Sequence, residues 1–452
     1  MLYTLLWSRL LQPAYERLRG RATPRLELEL EQSQWWPAQR LARRQWRELE
    51  ILLRHARQEV PFYRDWFDQN RLRVRDLVAA RDLSPLPLVD KKMLTAEPER
   101  FRARRPPRGS FQKTTGGSTG RPLSFLVSPL SDQWRYAVTR RGYGWAGCPT
   151  GARQFYLWGA DLMPVKARAR LKRGLHRLLL RQRFQDCFQL GPRDLDAAMR
   201  RIDRFRPRCL VGYTSPVVAL ARRAREQGWR PPGSLKSVIT GAEALYPAQR
   251  QIIEEALGVP VYETYGSREF MLIAAQCQER RGLHISAENL MLEVLDQGRP
   301  AQPGQLGEVV ITDLHNLAQP FIRYRSGDLV VMAQEPCPCG RGLPCLERVE
   351  GRILDMIRTP SGRLLPGEFF PHFLKDFPAL ERFQVRQDRL DHLTIQVVLR
   401  GELSHRDREL ILSKTRQALP GVEVDLQVVD DIPLTPAGKH RVTIGLGEDS
   451  PA

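Results

Sequence analysis

Between residues 193 and 265 the chain alternates, three times over, a helical segment with a short apolar run. Asp194–Phe205 precedes Cys209–Tyr213, Pro216–Gln227 precedes Lys236–Thr240, and Pro247–Leu257 precedes Val259–Glu263. Short apolar strands separated by helices of ten or more residues predict parallel βαβ units, and no other feature of the sequence restricts the fold as much. Each strand runs into a polar or glycine-bearing turn: Gly212-Tyr213-Thr214-Ser215, Thr240-Gly241-Ala242-Glu243, and Thr264-Tyr265-Gly266-Ser267-Arg268-Glu269. Open α/β sheets bind ligands beyond the carboxyl ends of their strands, so these turns are expected to line one crevice.

Other segments extend this frame. Pro37 to Val60 reads as a helix with the apolar face Leu41, Trp46, Leu49, Leu52, Leu53 and Ala56, ended by Pro61. Residues 70–112 are polar and proline-dotted, Gln154–Trp158 reads as a strand, and 162–183 is basic with a helical pattern. After 285 the pattern turns to β, with Leu290–Leu295 and Glu308–Thr312 as strands. Residues 381–429 read strand, strand, helix, strand, a small α+β domain. The boundary is placed between 353 and 354, giving domains 1–353 and 354–452.

The 452 residues are enough for two or three domains and a sizeable core. No apolar run reaches eighteen residues, the length that spans a bilayer. At the amino terminus Leu2, Leu5, Leu6 and Leu10 would form one face of a short helix that Pro13 limits to about three turns. Docking on the protein's own body is the expectation for that face, with a peripheral membrane contact as the alternative. The formal charge of +20 is read as arginine on solvated helix faces, for example Arg40, Arg43, Arg44 and Arg47. No RNA-binding signature, zinc-finger repeat or basic tail accompanies it, so nucleic acid is not an expected partner. Seven cysteines, an odd number with four at Cys277 or beyond, argue against a disulfide framework and for a reducing cytoplasm.

Before the alternating region lies Lys113-Thr114-Thr115-Gly116-Gly117-Ser118-Thr119-Gly120-Arg121-Pro122. Every position from 114 to 120 is a hydroxyl residue or a glycine. Glycine allows close backbone approach, and consecutive amides in such a turn form a nest for an anion. No Gly-Lys-Ser/Thr closes it, so it is not a Walker loop. The run Leu123-Ser124-Phe125-Leu126-Val127 leads from it into a strand.

With these turns and this loop in order, the chain resembles the adenylate-forming (acyl-CoA synthetase-like) superfamily, from about residue 45 to 445. Within it the resemblance is to the phenylacetate–CoA ligase-like branch, some of whose members are associated with capsule synthesis. The resemblance implies a large α/β amino-terminal domain with parallel βαβ units and a small mobile α+β carboxy-terminal domain. The glycine loop is similar to the family's phosphate-binding loop, Gly241-Ala242-Glu243 to its adenine-side turn, and Tyr265 to Glu269 to its Tyr-Gly-x-x-Glu turn. Tyr324-Arg325-Ser326-Gly327-Asp328 resembles its ribose motif, Gly351-Arg352 with Asp355 its hinge, and Pro433-Leu434-Thr435-Pro436-Ala437-Gly438-Lys439 its lysine loop.

What the resemblance implies is attack of a small carboxylic acid on the α-phosphate of ATP, then thioester formation with coenzyme A. Thr114, Thr115, Ser118 and Thr119, with Gly116, Gly117 and Gly120, would hold the β- and γ-phosphates. Gly241, Ala242, Glu243, Tyr265, Gly266 and Arg352 would complete the nucleotide site. Glu269 would hold Mg²⁺, a hard cation suited to a carboxylate and phosphate oxygens. Asp328 would accept hydrogen bonds from both ribose hydroxyls. Lys439 would stabilise the pentavalent phosphorus and leave as the small domain rotates. Taken singly, Asp328 is a turn aspartate, Glu269 a solvated helix-start residue and Lys439 a surface lysine; the ordered set argues otherwise. Many relatives carry Ser or Thr where this chain has Arg268, which is expected to meet the substrate or a phosphate. Trp134, Tyr136, Trp158 and Tyr213 are candidates for an aromatic acid pocket, against plain core packing. A different acyl acceptor, such as a sugar or amine in surface polysaccharide assembly, is the alternative within enzymes. A basic nucleic-acid or membrane-surface binding protein is the alternative outside them.

Cys277, His284, Cys337 and Cys339, with Cys345 nearby, form a second constellation. The Cys337-Pro338-Cys339 pair with Cys277 and His284 suits a tetrahedral zinc, although the spacings are not those of a standard finger. Some members of the resembled branch carry a similar structural zinc. Cys345 in place of His284 is the variant, and buried free thiols are the plain alternative. Cys148, Cys187 and Cys209 are read as core residues.

Overall fold

In a computed structural model of the chain, the residues described are 6–115, 123–158, 174, 176–187, 192–352, 357–361, 364–365, 369–374, 377, 379–433 and 442–446. Contacts divide the chain into two units: a larger one from most of residues 1–349, and a smaller one holding 350–452 together with Gly327–Val330. The expected boundary between 353 and 354 lies outside the described residues.

The amino-terminal helix does not stop at Pro13. A π-turn, Trp7–Leu11, runs directly into helix α1, Gln12–Leu18. Pro13 lies at the second position of α1, directly after the π-turn, and the chain stays helical through it. Helices α2, Thr23–Ser33, and α3, Ala38–Glu59, follow. The face expected to dock on the body is turned outward, with Leu6 and Leu10 exposed and Trp7 buried instead. Leu2 and Leu5 lie outside the described residues. The polar stretch 70–112 contains short helices at Val74–Ala80 and Lys91–Ala96.

Strands β1, Phe111–Thr114, and β2, Ser124–Val127, form an antiparallel hairpin, followed by helix α4, Pro129–Trp145. The glycine loop is therefore a hairpin connection, preceded by a strand that sequence reasoning did not find. Then come β3, Gln154–Leu157, and β4, Gln182–Gln185, so the end of the expected 162–183 helix is strand. Helix α5, Pro192–Phe205, β5, Cys209–Tyr213, α6, Thr214–Glu226, β6, Ser237–Gly241, α7, Pro247–Leu257, and β7, Val261–Ser267, realise the alternation. Beyond them lie β8, Met271–Ala275, β9, Leu283–Ile285, β10, Leu290–Asp296, β11, Arg299–Pro300, β12, Leu306–Asp313, β13, Tyr324–Met332, and β14, Cys345–Arg352.

Among the described residues these twelve strands form one sheet in the order β11-β10-β12-β13-β14-β9-β8-β7-β6-β5-β3-β4. From β4 to β7 the pairing is parallel, and β7–β8, β8–β9, β9–β14 and β10–β12 are antiparallel. The central strands β5 and β6 are buried on both faces, as strands of a sheet covered on both sides must be. Leu210 and Val238 pack with α5, α6 and α7, while Cys209, Val211 and Ile239 pack with Ala146, Cys148 and Ala152. Part of the arginine excess is internal: Arg135 pairs with Asp313 at 2.8 Å, and Arg141 pairs with Glu288 at 2.7 and 2.9 Å.

In the smaller unit four strands order as Glu423–Val428, His392–Leu399, Leu380–Arg389 and Thr443–Ile444. Helix α8, His405–Ala418, is capped by Ser404 and buries Ile411 against Val385, Ile395 and Leu426. This is the expected strand, strand, helix, strand order.

Candidate functional site

Strands β5, β6 and β7 lie side by side with Gly212 opposite Thr240 and Thr240 opposite Glu263, so their carboxyl-end turns adjoin. Hydrogen bonds join the first two turns. The Glu243 carboxylate accepts from the Ser215 amide at 2.7 Å and its hydroxyl at 2.5 Å, and the Thr214 hydroxyl donates to the Glu243 carbonyl at 3.1 Å. The second and third turns are joined by Thr264, whose hydroxyl donates to the Thr240 carbonyl at 2.7 Å. A Cβ on Gly241 would sit 2.7 Å from that hydroxyl oxygen. Ala242 has φ +66°, a left-handed conformation unfavourable for alanine and of the kind that concentrates at ligand sites.

The third turn is the tightest. A Cβ on Gly266 would lie 2.2 Å from the Met271 carbonyl oxygen, and Met271 itself has φ +61°. The β7–β8 ladder shifts register between Tyr265 and Gly266. Phe270 is fully buried against Phe321 and Tyr324, which anchors the turn and leaves Arg268 exposed and Glu269 half-buried.

Arg268 carries the turn to the glycine hairpin: its Nε donates to the Thr114 carbonyl at 3.2 Å. At the hairpin base the Thr115 amide donates to the Leu123 carbonyl at 2.9 Å, and its Oγ1 accepts from the Leu123 amide at 2.8 Å. Gly116, Gly117, Ser118, Thr119 and Gly120 lie outside the described residues, as do Asp355 and Lys439. Asp328 is buried on β13, and Arg352 ends β14, where its backbone is described and its side chain is not.

Sequence reasoning assigned Lys113 no role. Its Nζ lies 3.8 Å from the Met271 sulfur, and burial, then the charge of Arg135, pushes its ammonium down to about 8. Arg135 belongs to α4, so nothing in the local sequence signals this environment. Glu263 was likewise missed; burial pushes its carboxyl up to about 7 against the pull of Arg250. The four-membered aromatic pocket does not form. Trp158 and Tyr213 pair at 4.4 Å, at the ends of β3 and β5. Trp134 stacks on His315 at 4.4 Å in another cluster, and Tyr136 lies under Arg21. Core packing takes Trp134, because its ring lies on the face of α4 that covers Leu26 and Leu30.

The sulfur and imidazole constellation assembles at the edge of β8, β9 and β14. The ligand atoms of Cys277, His284, Cys337 and Cys339 all lie within 4.8 Å of one another. Cys277 Sγ is 3.7 Å from Cys337 Sγ, and Cys339 Sγ is 3.3 Å from His284 Nε2. A tetrahedral zinc separates two thiolate sulfurs by about 3.8 Å and sulfur from imidazole nitrogen by about 3.6 Å, so the donor set fits that ion. Cys345 faces the other side of the imidazole, 3.2 Å from Nδ1, because it is the ladder partner of His284 on β14. Burial pushes His284 down to about 4, with the Leu343 carbonyl pulling the other way. Neutral imidazole is the ligating form.

Residues 357–445 match the family model of the CapK C-terminal domain. The chain is 26% identical over 377 residues to phenylacetate–coenzyme A ligase of Thermus thermophilus, covering 80% of this chain and 82% of the relative. It is 20% identical over 407 residues to protein CapK of Staphylococcus aureus, covering 87% of each. Its fold matches the crystal structure of 2-hydroxyisobutyryl-CoA ligase in the postadenylation state, with TM-score 0.71 and 22% identity over 93% of this chain and 92% of that one.

A sheet that is parallel where its glycine-bearing turns gather and antiparallel beyond them is thus the fold of adenylate-forming enzymes. Both the family model and the sequence relatives lead to one branch of that superfamily. This chain is similar to its phenylacetate–coenzyme A ligases and to CapK.

Proposed function

We propose that the protein uses ATP to activate a carboxylic acid as its acyl-AMP and then passes the acyl group to coenzyme A. The observation that carries this reading is the Arg268–Thr114 hydrogen bond. It joins the glycine hairpin to the Tyr265–Glu269 turn at the ligand-binding end of the parallel strands. In the first step a carboxylate oxygen attacks the α-phosphorus of ATP and the bond to the β-phosphate oxygen breaks, releasing pyrophosphate. In the second, the coenzyme A thiol loses its proton, sulfur attacks the acyl carbon, and AMP leaves with its bridging oxygen.

Neither step needs a covalent enzyme intermediate, so the protein's task is alignment and charge neutralisation. Thr115 is engaged in closing the hairpin base, which leaves the loop amides with Ser118 and Thr119 to receive phosphate oxygens. Gly241, Ala242 and Glu243 present backbone beside the adenine, and Asp328 receives the ribose hydroxyls. Glu269 is the carboxylate suited to Mg²⁺, which when bound neutralises charge on the leaving pyrophosphate. Residues 354–452 act as the lid that brings Lys439 to the α-phosphate. Cys277, His284, Cys337 and Cys339 would hold a structural zinc. A reaction that draws on ATP and coenzyme A supports a cytoplasmic location.

Transfer to a sugar or amine in surface polysaccharide assembly is the second reading, favoured by the CapK match in the smaller unit. Acid-dependent exchange of pyrophosphate into ATP, with no acceptor present, tests adenylation. Aryl and arylacetic acids form the first panel, because relatives are phenylacetate–coenzyme A ligases. Exchange followed by thioester on adding coenzyme A is the expected result. Exchange without thioester turns the proposal to the second reading, and no exchange over a broad acid panel removes both.

A further inference from the structure

Helix α1 is amphipathic the wrong way round for a soluble surface. Its inward side is polar: Gln12 and Glu16 are 1% and 4% exposed. Gln12 Nε2 donates to Glu27 Oε1 at 2.7 Å, and Glu16 meets Arg21 at 3.2 Å and Arg140 at 3.6 Å. Its outward side is leucine. Leu10 is 63% exposed, Leu11 41% and Leu18 90%. At 100° per residue, Leu10, Ala14 and Leu18 lie opposite Gln12 and Glu16. The π-turn sustains the arrangement. The Gln12 amide donates to the Trp7 carbonyl, five residues back, and this keeps Trp7 on the inward side. Trp7 is held there against Gly151, where a Cβ would lie 2.7 Å from its ring. Tyr15, between Leu11 and Leu18, hydrogen-bonds His176 at 3.0 Å, and Leu178 two residues further on is also exposed.

Charge names the occupant. From Leu6 to Arg25 the sequence has one acid, Glu16, and it is buried in ion pairs. Exposed Arg17, Arg19 and Arg25 lie beside or just beyond the leucines. A second copy meeting this face about a twofold axis would set arginine against arginine. A lipid surface bearing anionic headgroups meets both needs at once: acyl chains for the leucines and phosphates for the arginines. No helix among the described residues is long and apolar enough to cross a membrane, so the contact is a surface one.

We propose that the Trp7–Leu18 helix docks the protein, reversibly, on an anionic membrane surface. Co-sedimentation of the full chain with phosphatidylcholine vesicles, with and without phosphatidylglycerol, tests it. Binding is expected only with phosphatidylglycerol, weakening as salt rises. Leu10→Glu with Leu18→Glu should reduce it more than tenfold. Arg17→Glu with Arg25→Glu should reduce it by at least about 25-fold, at roughly fivefold for each charge near the surface. Thermal unfolding should be unchanged in both variants, since neither pair supports the core. Binding that both variants retain in full would overturn the proposal, placing attraction elsewhere on the basic surface. So would absence of binding together with a dimer in light scattering that the leucine variant dissociates.

Discussion

Gly266→Ala is the most exacting perturbation of the site. The added Cβ would stand 2.2 Å from the Met271 carbonyl oxygen, with the Met271 carbonyl carbon at 3.1 Å and Leu272 Cα at 3.6 Å. The first contact is more than about 1 Å inside ordinary van der Waals separation, and it is with backbone, which has no rotamer to escape into. The β7–β8 turn must open by about that distance, carrying Arg268 and Glu269 with it. Overpacking of this kind costs about 1–3 kcal/mol of stability. Displacing positioning groups by about 1 Å costs on the order of a hundredfold in rate. Gly144→Ala is the control: it lies near the end of α4 with nothing within 4 Å of the new Cβ, so the change should be neutral or mildly stabilising. Pyrophosphate exchange and denaturant unfolding are measured on both variants. A Gly266→Ala protein with native stability and native exchange would refute the claim that this close approach sets the turn.

Lys439→Ala should lower exchange by orders of magnitude, as expected for a lost transition-state charge, while thioester formation from preformed acyl-AMP and the fold persist; near-native exchange would remove the lysine from the site. Protein purified without added zinc should contain one zinc per chain by metal analysis, and Cys337→Ser with Cys339→Ser should release it and lower the melting temperature; full metal retention in that variant would reject the cluster. Glu263 has its folded pKa raised to about 7 by burial, so the folded state binds a proton that the unfolded state releases near 4.5. Stability should therefore fall as pH rises between those values, by about 2–3 kcal/mol, and Glu263→Gln should abolish the fall in unfolding measured at pH 5 and pH 8. Parallel pH dependences in the two proteins would contradict this.

Strands β5 and β6 were legible because each is apolar on both faces and each is set off by a helix, whereas β4, Gln-Arg-Phe-Gln, is polar and reads as part of a basic helix. Strand β1 was not, since Phe111–Thr114 is mostly exposed and carries no period of two. Pro13 reads as a helix end, yet the chain stays helical through it, directly after a π-turn that the sequence does not signal. The leucine face reads as an inner face because sequence alone does not reveal that Arg21, Arg140 and Glu27 wait to receive Gln12 and Glu16. Distance along the chain limited the site in the same way. The turns and the thiolates announce themselves locally, but Trp134 is claimed by His315, and Lys113 is perturbed by Arg135 and Arg268. The place of Cys345 beside His284 follows from ladder register, which the spacing of cysteines does not encode.

The central claim is attack of the acid's own oxygen on the α-phosphorus of ATP. Oxygen tracing tests it most directly. A responding carboxylic acid labelled with ¹⁸O in both carboxyl oxygens is turned over with ATP and coenzyme A, and the products are weighed by mass spectrometry. The account predicts one ¹⁸O in AMP and none in pyrophosphate. Label in inorganic phosphate with ADP as the nucleotide product, or unlabelled AMP, would contradict it.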